Sequence, residues 1–310
     1  MQTKTVPFAL FDSFSDTVLG GSQAAVISNA ESISTDIRQK LAKEIGAPAT
    51  CFIDHIDANT YTVQFFSTVT ELPMCGHGTV GLMTRLDELG HIKWDNNAKA
   101  EVTLQLPRTT ASIDMQRLEN GRPLSMLEVR VPDFRADPFD ADELARILGL
   151  SKDDFSGDLP QETAVADFVH LVVPLNDLNA MRKITPDFNA IVSFCHAVDV
   201  QTIAVFTREV ENPDSTIHVR DFCPAVGVAE SAAAGTTNAA LAGYLVRNNL
   251  VPIDRNGDVH VLSEQGIEIN RPSTIRTKAT LRNETIATLK VGGIASKVLE
   301  GTLFLPDFTD

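Results

Sequence analysis

The chain has 310 residues, 43 % of them hydrophobic and 22 % charged, and 41 acidic against 26 basic residues give a net charge of −15. This length and composition predict a folded protein of about two domains and exclude a disordered chain. The negative charge argues against binding to nucleic acid or to an anionic membrane, and no apolar run approaches the ~20 residues of a membrane-spanning helix.

The four cysteines, Cys51, Cys75, Cys195 and Cys223, form no Cys-x-x-Cys pair. This favours reduced thiols over a disulfide framework or a zinc site. The start of the chain has no apolar core or cleavage site of a signal peptide and is typical of a strand. We therefore expect a cytoplasmic protein without a metal centre.

Strands and helices alternate along the chain, as judged from the period of the apolar residues and from capping residues. The predicted elements are, in chain order, strand 6–14, helix 35–45, strands 50–53 and 61–66, helix 76–90, strands 102–106 and 127–131, helix 140–148, helix 185–195, strands 203–206 and 217–222, helix 237–248, and several strands within 259–305. The polar stretch 131–138 predicts a boundary between an N-terminal half, 1–131, and a C-terminal half, 132–310. A return of the last strand to the N-terminal half is left open.

Residues 71–86 and 230–245 correspond without gaps at an offset of 159 positions. The identical pairs are Glu71/Glu230, Gly76/Gly235, Leu82/Leu241 and Leu86/Leu245. Each copy is a strand, a turn and the start of an apolar helix, which is the pattern of a duplicated domain. The second helix is rich in Ala and Gly, so we expect it to lie inside a sheet or barrel.

The beginnings of these two helices are the candidate functional sites. Helix N-termini expose unpaired N–H groups and partial positive charge, which suit a carboxylate. Cys75 stands at the entry of the first helix, where a helix N-terminus lowers a thiol pKa and makes the thiolate available. The thiolate is the candidate base and His77 its proton relay.

The expected partner is a small substrate that carries a carboxylate. Its predicted binding residues are at the two turns or on the glycine-rich turn near the start of the chain, and they are Ser22, Gly76, Gly78, Thr79, Ser231, Gly235, Thr236 and Thr237.

Four segments together resemble the PhzF-like phenazine-biosynthesis family, within the diaminopimelate-epimerase and proline-racemase fold. They are Phe11-Asp-Ser-Phe with Leu19-Gly-Gly-Ser-Gln-Ala-Ala-Val, Glu71-Leu-Pro-Met-Cys-Gly-His-Gly-Thr, Phe222-Cys-Pro-Ala-Val-Gly through Gly235, and Glu264-Gln-Gly with Arg271-Pro-Ser, Val291-Gly-Gly and Gly301. The resemblance implies a duplicated α+β fold of two similar halves, each a mixed β-sheet wrapped around a central helix. It also implies a homodimer that catalyses isomerisation or epimerisation without a cofactor.

The chain departs from the patterns of the families that it resembles at several functional positions. Ala49 stands where phenazine-type isomerases carry a catalytic Glu, Ser231 replaces their Asp, and Ser22 replaces the Asn of a Gly-Asn-Pro turn. The Cys-Gly-His-Gly segment is similar to that of proline racemases, which use two cysteines. The second of these cysteines would fall at Ala234, which cannot transfer a proton.

The sequence therefore predicts a cofactor-independent isomerase that removes a proton α to a carboxylate with a single cysteine base, in an epimerase, tautomerase or double-bond isomerase reaction. Two alternatives stay open. One is a dehydratase of a β-hydroxy amino acid such as hydroxyproline, and the other is a non-catalytic member that binds a small metabolite.

Overall fold

The structure is a computed structural model that describes residues 5–136 and 138–305. It divides the chain into two compact units. The first comprises the described residues up to Glu128 together with those from Gly292 onward, and the second is Val129–Val291. The sequence placed this division after Val131; in the structure it follows Glu128, and the chain rejoins the first unit at Gly292.

The helices and strands alternate along both units. The helices are α1 Thr35–Ile45, α2 Gly76–Glu88, α3 Ala141–Leu148, α4 Leu178–Lys183, α5 Phe188–Ala197 and α6 Gly235–Arg247. The strands are β1 Thr5–Ser13, β2 Ser22–Ile27, β3 Ala49–Asp57, β4 Thr60–Phe66, β5 Glu71–Leu72, β6 Lys99–Gln105, β7 Thr110–Arg117, β8 Pro123–Val129, β9 Asp133–Arg135, β10 Glu162–Val165, β11 Val169–Pro174, β12 Thr202–Thr207, β13 Ile217–Phe222, β14 Glu230–Ser231, β15 Asp258–Gln265, β16 Ser273–Arg282, β17 Thr285–Gly293 and β18 Ala295–Phe304.

The two units have the same order of strand pairings. In the first, β18–β1 and β1–β2 are antiparallel, β2–β3 is parallel, β3–β4 antiparallel, β4–β6 parallel and β6–β7 antiparallel. In the second, β9, β10, β11, β12, β13, β15 and β16 pair with the same alternation. The short strands β5 and β14 pair with β4 and β13. The duplicated mixed-sheet fold expected from the sequence is confirmed, and β18 takes in the first unit the place that β9 has in the second.

One helix in each unit is buried on nearly every side. Most of α2 and the whole stretch from Thr237 to Leu245 of α6 are buried. In α6 the small residues Ala239, Ala240 and Ala242 join Leu241 and Tyr244 in a core with side chains of β11, β12, β13 and β15. A helix that is apolar or small all round is stable only inside a core, so the sheet strands surround it. No helix within residues 5–136 and 138–305 has the length and apolarity needed to cross a bilayer.

Most predicted elements are present near their predicted bounds, whereas β2, β7, β10 and α4 were not predicted. Two differences in bounds have local causes. Helix α5 begins at Phe188 and not at Thr185, because the Asp187 side chain accepts the Ala190 N–H and caps the helix there. Strand β8 lies at Pro123–Val129, earlier than predicted, since it pairs with β7 through Arg117↔Pro123 to Ile113↔Leu127. Pairing with β7 thus overrides the apolar pattern of the segment.

Candidate active site

Cys75 occupies the N-cap position of α2 and is buried, with 7 % of its surface exposed. Its backbone is extended, with φ −148° and ψ 109°, and its carbonyl accepts both the N–H of Thr79 at 2.9 Å and the hydroxyl of Thr79 at 2.8 Å. Both Thr79 donors are therefore used within the helix. Thr79, a predicted substrate-binding residue, is fully buried and serves to hold the start of α2.

The thiol of Cys75 lies against the imidazole of His77. Its Sγ is 3.5 Å from Nδ1 and 3.7 Å from Nε2 of His77, so neither ring nitrogen is singled out as its partner. The backbone N–H groups of Gly78 and His77 lower the pKa of the thiol, although the Cys75 side chain makes no cap hydrogen bond to the helix. The predicted pair of base and relay is thus brought together at the start of the helix.

Burial changes the pKa values of Cys75 and His77 more than the helix N-terminus does. Burial raises the pKa of Cys75 to about 12, and the backbone N–H groups of Gly78 and His77 only reduce the rise. Burial likewise lowers the pKa of His77 to about 4. The sequence-based expectation of a lowered thiol pKa is therefore wrong for the free protein: desolvation outweighs the helix end. At neutral pH the site holds a neutral thiol beside a neutral imidazole.

The two glycines of this turn have different surroundings. A Cβ added to Gly76 would meet no described atom within 4 Å, so a ligand can approach the backbone here. A Cβ on Gly78 would lie 3.0 Å from the Phe65 ring and 3.2 Å from Cys51 Sγ. Glycine at position 78 thus allows the close packing of α2 against the sheet. Of the two glycines, Gly76 has the more open surroundings.

Ser22 lies at the first position of β2, opposite Ser13 of β1. The Ser13 hydroxyl donates to the His77 carbonyl at 2.6 Å, which fixes the turn that carries His77. Ser22 is therefore connected to the start of α2 through Ser13. Ala49, which stands in place of the catalytic Glu expected from the family, is fully buried at the beginning of β3.

In the second unit, Ala234 is the N-cap of α6, with φ −125° and ψ 111°. Among the predicted binding residues here, Thr236 is exposed, whereas Thr237 is fully buried and its hydroxyl donates to Asp221 Oδ2 at 2.9 Å. The Thr237 side chain is thus used inside the unit. Ser231 and Gly235 are partly exposed at the strand and helix ends that flank the turn.

Two residues that the sequence did not indicate hold this second turn in place. Gln265, at the end of β15, donates to the Ser231 carbonyl at 2.8 Å and accepts from Asn238 Nδ2 at 2.8 Å. Asn238 also donates to the Ala234 carbonyl at 2.9 Å. Gln265 is 31 residues from Ala234 in sequence, so the pattern of the turn itself could not indicate it, and the signal available was the Glu264-Gln-Gly segment of the family resemblance.

Asp221 is a further buried group that the sequence did not indicate. Burial raises its pKa to about 6, while the hydroxyls of Thr237 and Thr202 oppose the rise and the charge of Glu230 adds to it. It lies on β13 directly opposite Ser231, the position where phenazine-type isomerases carry Asp. The Arg-Asp-Phe-Cys-Pro run beside it was the available sequence signal.

One surface group has metal-ligating side chains close together. Ligand atoms of Asp254, Asp258 and His260 lie within 4.8 Å of one another. Asp258 already pairs with Lys278 at 2.7 Å and accepts from Thr280, and Asp254 accepts the N–H groups of its own turn. Both carboxylates therefore already have partners within the β15–β16 hairpin and the turn before it.

Three comparisons agree with this architecture. The chain is 27 % identical over 299 residues to the trans-2,3-dihydro-3-hydroxyanthranilate isomerase of Pseudomonas fluorescens, covering 96 % of this chain and 99 % of the relative. The crystal structure of the Bacillus anthracis phenazine biosynthesis protein of the PhzF family matches with a TM-score of 0.86 and 22 % identity, covering 97 % and 100 % of the two chains. A hydroxyproline epimerase from Agrobacterium vitis, with bound trans-4-hydroxy-L-proline, has the same fold at a TM-score of 0.60 and 12 % identity, covering 99 % and 94 %.

The family match extends over almost the entire sequence. The model of the phenazine biosynthesis-like proteins matches residues 11–301, which include both central helices and all but the last few residues of β18. Since this match spans both units and the relatives are named isomerases, the chain belongs to the phenazine biosynthesis-like (PhzF) family and is an isomerase of that family.

Proposed function

We propose that this isomerase moves a proton at the carbon next to a substrate carboxylate, with Cys75 as the group that removes it. The observation that carries the proposal is the position of the Cys75 thiol at the N-cap of α2, 3.5 Å from His77 Nδ1. The backbone N–H groups of Gly78 and His77 favour the thiolate form, and the imidazole can accept the thiol proton.

The reaction starts from two neutral groups. The thiol proton passes to the neutral imidazole of His77, and the thiolate then takes the proton from the α-carbon, leaving the electron pair on the substrate as an enolate-like anion. The thiol so formed returns that proton to a carbon of the same substrate, and the imidazolium gives its proton back to the sulfur. Atoms and charges balance without a cofactor.

The open space beside Gly76 supports carboxylate binding at this turn, because a ligand can approach the backbone there. The N–H of Thr79 is already engaged within the helix. In the second unit, the first-turn N–H groups from Gly235 to Thr237 remain candidates, with exposed Thr236 the most accessible side chain. A homodimer, expected from the family resemblance, stays a prediction.

Proton exchange in D₂O tests the proposal. Candidate substrates are trans-2,3-dihydro-3-hydroxyanthranilate and 4-hydroxyproline, taken from the relatives, together with a panel of amino and unsaturated acids. We expect Cys75→Ala to reduce α-proton exchange by at least a hundredfold, as general-base removal does. Cys51→Ala is the matched control, because Cys51 is a buried thiol of the same unit that donates to the Gly78 carbonyl but caps no helix.

Exchange at the wild-type rate in Cys75→Ala contradicts the cysteine mechanism. A product lighter by one water identifies a dehydratase, the alternative left open by the sequence. His77→Asn is expected to slow exchange less than Cys75→Ala, since water can replace the relay.

A further inference from the structure

Asp221, on β13 of the second unit, is a buried carboxyl group that the proposed reaction does not yet use. It is 2 % exposed, and its Oδ2 accepts the Thr237 hydroxyl at 2.9 Å. Its Oδ1 is also buried and has no hydrogen-bond partner among the described residues. A buried carboxyl oxygen without a hydrogen bond costs free energy, so a neighbouring hydroxyl that turns toward Oδ1 stabilises the protein.

The hydroxyl of Ser231 is placed to be this partner. Ser231 lies directly opposite Asp221 in the antiparallel pairing of β13 and β14. Opposite side chains of such a pair share one face of the sheet, with Cβ atoms about 4.5–5.5 Å apart, and a serine and an aspartate bridge this distance with one hydrogen bond. Gln265 holds Ser231 through its backbone carbonyl, so the hydroxyl can still turn about its side-chain bond. The other hydroxyl near Asp221, that of Thr202, is 2.7 Å from His170 Nδ1.

Ser231 also connects the buried carboxyl group with the surface. It is partly exposed at the end of β14, immediately before the turn that leads into α6. The neighbouring residues Arg220 and Glu230 point to the other face of these strands, where their side chains pair. A ligand at the turn before α6 can therefore exchange a proton with Asp221 through the Ser231 hydroxyl.

Asp221 can hold a proton at a pH close to neutral. Burial raises its pKa to about 6, and the negative charge of Glu230 adds to the rise. An anionic substrate at the turn raises this pKa further, because like charges disfavour ionisation. The other titratable groups around Asp221 keep one charge state between pH 5 and 8, and they are the Glu230 carboxylate paired with Arg220, the thiols of Cys195 and Cys223 with raised pKa values, and His170 with a pKa lowered to about 4.

We propose that Ser231 and Asp221 act together as an acid at the turn before α6, an inference that rests on the proposed removal of an α-proton by Cys75. As that proton leaves, negative charge develops on the oxygens of the substrate carboxylate. The Ser231 hydroxyl gives its proton to one of these oxygens, whose electron pair forms the new O–H bond, and Oδ1 of Asp221 gives its proton to Ser231. Both transfers reverse when the thiol returns its proton to carbon, so atoms and charges balance. Ser231 contacts the substrate, and Asp221 is a positioning residue that acts through it.

Carbon-13 NMR of the Asp221 carboxyl group tests the pair in the free protein, with the signal assigned by its loss in Asp221→Asn. We expect Ser231→Ala to raise the pKa of Asp221 by about one unit, because the carboxylate loses a hydrogen-bond donor. Ser231→Thr keeps the hydroxyl and is expected to leave the titration unchanged. Ser263→Ala is the matched control and is expected to change nothing, because Ser263 is a buried hydroxyl of the neighbouring strand β15.

The pH dependence of α-proton exchange in D₂O tests the role of the pair in the reaction. In the wild type we expect exchange to fall about tenfold per pH unit above the pKa of Asp221 in the complex, since the ionised group has no proton to give. We expect Asp221→Asn to remove this decline and to slow exchange at pH 6 at least tenfold. A purely structural role of Asp221 would leave the shape of the pH profile unchanged.

Two results would overturn the proposal. One is an unchanged titration of Asp221 in Ser231→Ala, and the other is exchange in Asp221→Asn with the rate and pH profile of the wild type. The first is measured without substrate and does not depend on Cys75. If Cys75→Ala exchanges at the wild-type rate, the proposed function fails, and the titration still decides whether Ser231 and Asp221 are hydrogen-bonded.

Discussion

Thr79 and Asn238 have the same structural role, 159 residues apart. Thr79 Oγ1 donates to the Cys75 carbonyl at 2.8 Å, and Asn238 Nδ2 donates to the Ala234 carbonyl at 2.9 Å. Each residue thereby fixes the N-cap of a 13-residue central helix. The two helix starts are thus built by the same backbone geometry, and they differ in the N-cap side chain, a thiol in one and a methyl group in the other.

This equivalence predicts that Cys75→Ala folds normally. Neither N-cap side chain makes a cap hydrogen bond to its described helix, and α6 forms with Ala at this position. We expect the free energy of unfolding to change by about 1 kcal/mol or less, because little more than one buried sulfur is removed. Denaturant unfolding measures this change, and a loss above about 3 kcal/mol would show that the thiol has a structural role.

The raised pKa of Cys75 predicts slow alkylation. With a pKa of about 12, only a minute fraction of the thiol is ionised at pH 8, and the thiolate is the reactive form. We expect iodoacetamide to label Cys75 far more slowly than a free thiol at pH 8, with the rate rising about tenfold per pH unit up to pH 11. Peptide mass spectrometry identifies the labelled residue, and the unfolded protein is the control. Labelling at the free-thiol rate in the folded protein at pH 8 is the contrary outcome.

Gly78→Ala and Gly76→Ala form a matched pair. The added methyl at position 78 meets Phe65 at 3.0 Å and Cys51 at 3.2 Å, whereas at position 76 it meets nothing described within 4 Å. Overpacking predicts a loss of about 1–3 kcal/mol for Gly78→Ala, and we expect no loss for Gly76→Ala, since Ala favours helix. Equal stabilities in denaturant unfolding would mean that α2 shifts to make room.

The raised pKa of His218 predicts that the protein loses stability as the pH rises from 6.5 to 9. Burial alone would lower its pKa, but hydrogen bonds and charges of Glu264 and Glu268, both 2.8 Å away, raise it to about 9. Because this folded-state pKa exceeds the unfolded value of 6.5, the stabilisation is complete below pH 6.5 and is lost as the pH rises through 9, by about 3 kcal/mol in all.

The other buried groups with shifted pKa values affect stability mainly outside this window. The lowered pKa values of His77 and His170 affect stability only below pH 6.5, where protonation opposes folding, and the buried cysteines begin to contribute only near pH 9. Unfolding measured from pH 6.5 to 9 therefore reports mainly on His218. We expect Glu268→Gln to flatten the slope of the free energy of unfolding against pH. An equally steep slope in that variant would mean that another group causes the pH dependence.

The internal repeat predicted the fold better than it predicted the environment of each residue. Glu71 and Glu230 are an identical pair of the repeat, yet Glu71 is exposed while the Glu230 side chain pairs with Arg220. Because Phe66 pairs with Glu71 as Phe222 pairs with Glu230, the position that corresponds to Arg220 in the first unit is Gln64. Strand and helix patterns are local and survive such changes, whereas a partner ten residues away on another strand is not visible in a local pattern.

The prediction of the Cys75 pKa was limited for the same reason, because it used only the local sequence pattern. The helix N-terminus beside Cys75 was readable from the sequence, because Gly76 and Gly78 mark it. Its burial was not, since it depends on how α2 packs against Phe65 and the sheet. Desolvation is the larger effect, so a prediction from the local motif alone had the wrong sign.

The buried pair Arg220–Glu230 supports the last prediction. Nε and Nη2 of Arg220 donate to the two oxygens of Glu230 at 2.9 and 2.8 Å, and both side chains are at least nine-tenths buried. Glu230→Gln leaves the guanidinium without its counter-charge, which predicts a loss of about 3–5 kcal/mol. Glu211→Gln is the control, because the Arg182–Glu211 pair is about half exposed and predicts a loss below about 1 kcal/mol.

Replacing Arg220 and Glu230 together by Leu should cost less than the sum of the two single changes to Leu, since no charge is then left unpaired. Denaturant unfolding of the wild type, Arg220→Leu, Glu230→Leu and the double variant measures the coupling, and additive losses would mean that the two side chains stabilise the protein independently.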